Sequence, residues 1–277
     1  VEHGEFSSLY RERVFVGLSE GGIDQIKEER IAIGLDTCQR FYDIMHQYDV
    51  SDIRLVGTAV LRKASNRLAF IKPCEDIFGV QLEVIDGLRE AELIYKGVQL
   101  LGIKKQPYII TDIGGGSVEF ILVTENTLKW SASFEIGVGV LHALFHKSEP
   151  ISQDGIEEAK AFIRKELLPL QKAIAALDIL ALVGASGSFE VIKSINGYPE
   201  EENQFDLQDV LDLSATLKVK NLKERLAVEG LPKQRAKLIV VALILIEVVA
   251  KIVKPSTLIF SPFALKEGIL NEIMHGK

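Results

Sequence analysis

The stretch TDIGGGSVEF (111–120) sets three successive glycines, Gly114, Gly115 and Gly116, between one acid, Asp112, and a hydroxyl with a second acid, Ser117 and Glu119. Without side chains, consecutive backbone N–H groups can approach an anion closely, and the Ser117 hydroxyl adds a donor. Asp112 and Glu119 would repel a phosphate by themselves. They suit one if a hard divalent cation, for which Mg²⁺ is the natural choice, lies between carboxylate and phosphate oxygens. The competing reading is a tight hairpin entry with no ligand.

A second small-residue turn, GASGS (184–188), follows another apolar run and leads into a helical pattern. Gly184, Ser186, Gly187 and Ser188 would then stand at a helix N-terminus, where unpaired N–H groups and the helix dipole favour an anion. A plain strand-to-helix connection is the alternative. Arg62 offers a planar fork for phosphate oxygens, and Asn66 lies four residues on, where one helical turn would put both on one face.

These residues need a scaffold that brings several turns to one place. The chain predicts strands over 11–22, 52–58, 81–87 and 108–116, and a hairpin over 116–137 that turns at Glu125 and Asn126. Further strands are expected at 179–184 and 256–260, and helical patterns fill the intervals, with Asp24 as a candidate cap for the first. Strand and helix in alternation imply an α/β fold. At 277 residues the chain is long enough for two modest domains.

Composition narrows the function classes. The net charge of -7 carries no cationic cluster, which argues against duplex nucleic acid or an anionic membrane as partner. The run LIVVALILIEVVAKIV (238–253) is too short to span a bilayer and contains Glu247 and Lys251, so a buried helix is expected. With Cys38 and Cys74 as its only cysteines and no basic, apolar leader, the chain reads as a cytoplasmic protein without a disulfide framework. His142 and His146 have helical spacing but no third zinc ligand.

Five segments in order, GTAVLRKASN (57–66), DGLREAELIYKGV (86–98), DIGGGSVE (112–119), GASGS (184–188) and SPFALKEGIL (261–270), resemble the exopolyphosphatase and guanosine pentaphosphate phosphatase family. That family belongs to the actin, Hsp70 and sugar kinase superfamily. The resemblance implies two actin-like (ribonuclease H-like) domains, residues 1–102 plus 263–277 and residues 103–262, with ligand in the cleft between them. It implies Mg²⁺-dependent hydrolysis of a terminal phosphoanhydride of polyphosphate or guanosine pentaphosphate, and a homodimer.

Glu90 matches the acid taken in the family as the base that activates water, with Arg62 and Asn66 in its phosphate-binding pattern. Arg89, Lys237 and Lys266 depart from the family's usual residues. The superfamily's first phosphate loop, an Asp-Xaa-Gly-Ser-Asn turn, has no counterpart in these residues, so a longer natural N-terminus is expected. A regulator that binds a phosphorylated ligand without turnover, or a kinase of the same superfamily, remains an alternative.

Overall fold

A computed structural model describes residues 8–185 and 187–275. The chain begins with α1 (Glu28–Gln47), β1 (Leu55–Gly57), α2 (Ala59–Lys63), α3 (Leu68–Phe78), β2 (Leu82–Val84) and α4 (Gly87–Gln99). A meander of β3 (Tyr108–Ile113), β4 (Val118–Thr124) and β5 (Thr127–Phe134) follows, then α5 (Val138–Phe145), α6 (Gln153–Glu166) and α7 (Leu168–Ile174). The remainder is β6 (Ala181–Gly184), α8 (Gly187–Ile195), β7 (Gln204–Phe205), α9 (Leu207–Lys218), α10 (Leu222–Leu226), α11 (Ile239–Val253), β8 (Thr257–Phe260) and α12 (Leu265–His275).

Two sheets organise these elements. In the smaller, β1 and β2 run parallel, and Val60, Leu61, Phe70, Ile71, Cys74 and Phe78 form the core beneath it with Ile26. Cys38 of α1 and Cys74 of α3 are free thiols, with their sulfurs 3.6 Å apart.

The larger sheet has the order β5-β4-β3-β6-β8-β7. Its β3, β6 and β8 are parallel, whereas β4 and β5 form the antiparallel hairpin. Glu125 and Asn126 at its turn both have φ 53°, the left-handed pair that matches the twist of a two-residue hairpin.

Burial on both faces explains the unbroken apolar runs of the central strands. Ile109, Ile113 and Leu182 point into the core that holds α11, whereas Tyr108, Ile110, Ala181 and Val183 face the opposite way. Helix α11 is apolar around nearly its whole circumference, as a fully enclosed helix must be. Its Glu247 is accommodated because Ser214 and Lys218 donate to the carboxylate. Among the described residues no helix is long and apolar enough to cross a membrane.

Helices α4 and α12 form a layer shared by the two sheets. Ala91, Ile94 and Val98 of α4 pack against Tyr108, Ile110 and Ile121 of the larger sheet. Arg89 and Leu93 of α4, with Ile269 and Ile273 of α12, line a groove beside β1 and β2. The two helices cross at glycines: a Cβ at Gly97 would lie 2.1 Å from the Ala264 carbonyl oxygen, and one at Gly268 1.8 Å from that of Leu93. Arg89 and Lys96 both donate to Glu272, fixing the pair in register.

Three expectations differ from the structure. The strand expected over 11–22 does not form; residues 9–17 run without a ladder partner among the described residues, and alternation of side chains cannot by itself satisfy strand backbone groups. Helix α1 begins at Glu28 with Lys27 at its N-cap, so Asp24 does not cap it. Helix α2 ends at Lys63 and α3 begins only at Leu68, which removes the helical turn that was to join Arg62 and Asn66.

Candidate active site

The triple-glycine turn closes β3 onto β4, with the Gly114 amide donating to the Ser117 carbonyl at 2.9 Å. The carbonyls of Gly114, Gly115 and Gly116 accept from the amides of Val138, Gly139 and Gly137 at the start of α5, at 3.0, 2.8 and 3.2 Å. With its carbonyls tied back in this way, the turn has its amides left over. Those of Gly115, Gly116 and Ser117 have no backbone acceptor among the described residues, which is the arrangement of an anion-binding nest.

The same turn is a point of contact between the two halves. A Cβ at Gly115 would lie 2.3 Å from Ser19 Oγ, and one at Gly116 2.9 Å from Ile23 Cγ2 and 3.0 Å from Ala59 Cβ. The bare backbone thus meets two demands, unpaired amides and close packing.

Asp112 and Glu119 face each other across the β3–β4 ladder. Glu119 is buried, and its Oε1 accepts from Ser117 Oγ at 2.6 Å and Ser133 Oγ at 2.7 Å. Burial, with the nearby Glu90 carboxylate second, pushes Asp112 up to about 7. Burial, then Glu90 and Asp112, pushes Glu119 up to about 8.

Glu90 lies in the first turn of α4, where Asp86 caps the helix by accepting from the Arg89 amide at 2.8 Å. Its carboxylate is buried and accepts from Arg62 Nη1 at 2.7 Å, and the same nitrogen donates to the Ile85 carbonyl at 2.9 Å. Burial raises the Glu90 pKa and Arg62 opposes the rise. Three carboxylates therefore crowd one region with a single guanidinium paired to them.

That crowding is the chemistry a hard cation relieves, so Asp112 and Glu119 fit Mg²⁺. No group of three His, Cys, Asp or Glu able to hold a metal ion occurs among the described residues. Mg²⁺ needs no such cage, because it is commonly held by one or two carboxylates with water and substrate phosphate completing the shell.

The second loop follows β6. The Ala185 amide donates to the Thr111 carbonyl at 3.0 Å, tying this turn to the strand that carries Asp112. Gly184 gives room to Phe189, whose ring a Cβ there would meet at 2.2 Å, and Ser188 is buried in the first turn of α8. Ser186 lies outside the described residues.

At Gly187, the first residue of α8, a Cβ would meet Arg235 Nη2 at 2.6 Å and Arg13 Nη1 at 3.4 Å. Two guanidinium groups therefore stand at a helix N-terminus. Arg13 pairs with Glu190, whereas Arg235 has no carboxylate partner among the described residues and lies with its guanidinium 5.1 Å over the Phe15 ring. Burial, then the Arg13 charge, lowers the Arg235 pKa. A half-buried cation without an ion pair among the described residues, beside a second cation and a helix N-terminus, suits an anion.

Sequence reasoning missed both arginines. Arg13 sits in the segment assigned to a strand, and Arg235 lies in LPKQR (231–235), where only its position after Pro232 sets it apart. Asn66 is placed apart from the other candidates: its amide accepts from the Ile26 amide at 2.9 Å and donates to the Ile26 carbonyl at 2.8 Å, pinning the approach to α1. His142 and His146 pack with their rings tilted at 44° and centroids 4.8 Å apart, and burial pushes His142 down to about 4, the state of a neutral packing pair.

A model of the Ppx/GppA phosphatase family matches residues 1–277. A crystal structure of an exopolyphosphatase from Cytophaga hutchinsonii is 35% identical, with a TM-score of 0.89 over 97% of this chain and 90% of that one. The Aquifex aeolicus PPX-GPPA enzyme shares the fold at 20% identity, with a TM-score of 0.75 over 98% and 92%. A guanosine-5'-triphosphate,3'-diphosphate pyrophosphatase of Vibrio vulnificus is 28% identical over 262 residues, covering 95% of this chain and 52% of that protein. The chain spans about half the length of that relative and of a second of the same description from Aliivibrio fischeri. These neighbours identify the α/β architecture as the two-domain actin-like fold. The chain belongs to the Ppx/GppA phosphatase family.

Proposed function

We propose that this protein hydrolyses the terminal phosphoanhydride of polyphosphate or guanosine pentaphosphate, with Glu90 as the base. The observation that carries this reading is a buried glutamate, held by Arg62 and crowded by Asp112 and Glu119, beside two turns that offer backbone amides to an anion.

Phosphoanhydride hydrolysis asks a protein for position and charge more than for covalent chemistry. The amides of Gly115, Gly116 and Ser117 take phosphate oxygens on one side. On the other, the first turn of α8 with Arg13 and Arg235 takes the neighbouring phosphate. Asp112 and Glu119 hold Mg²⁺, which when bound neutralises charge on the phosphate oxygens.

Arg62 orients the Glu90 carboxylate, so that its free oxygen can accept the proton of a water aligned with the leaving phosphate. Burial raises the Glu90 pKa, which makes the carboxylate a stronger base than one in water, and Arg62 opposes the rise by favouring the charged form.

The Cytophaga relative is described as an exopolyphosphatase and the Vibrio relative as a guanosine nucleotide pyrophosphatase. Orthophosphate release from polyphosphate and from guanosine pentaphosphate, each with Mg²⁺ and with a chelator, therefore tests the reading. Release from at least one substrate that stops with the chelator is the expected result. Tight binding of both with no release would replace it with the regulator that binds without turnover.

A further inference from the structure

We infer that Ser133 is a positioning residue, which sets the orientation of Glu119 and the seat of the helix that carries Glu90. Ser133 lies directly opposite Glu119 in the β4–β5 ladder, and its hydroxyl donates to Glu119 Oε1 at 2.7 Å. Ser117 donates to the same oxygen at 2.6 Å, while Glu119 Oε2 takes no hydrogen bond among the described residues. The two serines thus occupy one carboxylate oxygen and leave the other for an outside ligand.

Ser133 also touches the other half of the proposed machinery. A Cβ at Gly87, the first residue of α4, would lie 2.4 Å from Ser133 Cβ and 2.9 Å from its Oγ. The first turn of α4 therefore rests on this side chain, and Glu90 follows three residues later in the same turn. One small hydroxyl residue spans the gap between a buried carboxylate and a helix start. Alanine would fit the gap and lose the donor; a larger residue would lift the helix.

The inference rests on the reading of Asp112 and Glu119 as the cation's ligands. Partners that orient a metal-binding side chain typically contribute about 10–100-fold to affinity or activity when removed. The test is Mg²⁺ affinity by titration calorimetry without substrate, for wild type and Ser133→Ala, together with a crystal structure of Ser133→Ala.

Ser133→Ala is expected to bind Mg²⁺ about tenfold more weakly, with the Glu119 carboxylate rotated away from its wild-type orientation. An unmoved Glu119 carboxylate in Ser133→Ala overturns the inference, as does equal Mg²⁺ affinity in a folded variant. Wild type and Glu119→Gln with the same calorimetric response would remove the cation ligand itself, and the inference with it. Chelator-sensitive phosphate release by the wild type separates a failed positioning role of Ser133 from a failed assignment of the reaction.

Discussion

Glu90 sits under two opposed influences: burial disfavours its charge, and Arg62 at 2.7 Å favours it. A base must be ionised to take a proton from water, so activity falls as pH drops through the Glu90 pKa. In Arg62→Met burial persists while the opposing charge is gone, and the pKa rises further. The acid limb of the kcat/KM profile should therefore move to higher pH, measured with either substrate at saturating Mg²⁺. A limb that stays put or moves to lower pH contradicts the pairing. Asp112, Glu119 and the glycine turn stand out as candidates at this scale because their types and spacing suggest the chemistry locally, whereas Glu90 was named only through the family resemblance. Arg13 and Arg235 were not, since they are 222 positions apart and only the fold brings them to the start of α8. Asn66 shows the converse: its four-residue spacing from Arg62 is helical on paper, yet α2 ends first and its amide serves Ile26.

The α4–α12 pair is the element on which the site depends most. Close approach at Gly97 and Gly268 lets α4 lie flat on the larger sheet and so fixes where its first turn, with Glu90, points. Gly268→Ala would gain roughly 1 kcal/mol of helix propensity. A methyl 1.8 Å from the Leu93 carbonyl cannot be accommodated without moving backbone, and overpacking of this kind costs about 1–3 kcal/mol or more. Loss outweighs gain, so a melting temperature lowered by several degrees is expected, with phosphate release reduced further as α4 shifts; an unchanged or higher melting temperature contradicts the packing. The β4–β5 hairpin, the buried α11 and the β6–α8 turn were all readable from period and turn residues, because neighbours along the chain decide them. The strand expected over 11–22 was misread because strand formation is decided by a partner elsewhere in the molecule, not by alternation within it.

Across the whole molecule, the candidate anion-binding groups come from distant parts of the chain. Arg13 belongs to the N-terminal segment and Arg235 to the turn before α11, and they meet at Gly187. Ion pairs link the halves as well, Lys237 to Glu20 at 2.8 Å and Lys63 to Glu135 at 2.7 Å. The Lys63–Glu135 pair is half-exposed and contributes little to stability. With a net charge of -7 the protein repels a polyanion at long range. On the proposed reading capture is local, and Arg235, half-buried and without an ion pair among the described residues, is the candidate to meet a phosphate. Hydrogen bonds to charged groups contribute about 1.5–3 kcal/mol, so Arg235→Ala should raise KM roughly ten- to hundredfold with a smaller effect on kcat. An unchanged KM would remove Arg235 from the site.

The central claim is that Glu90 takes the proton from the attacking water, and Glu90→Gln tests it most directly because glutamine keeps the shape and cannot act as the base. General-base contributions run about 10²–10⁴-fold. Orthophosphate release from polyphosphate and from guanosine pentaphosphate should fall by at least about 100-fold in this variant while Mg²⁺ binding is retained. Release at the wild-type rate from the substrate the protein hydrolyses would contradict the account.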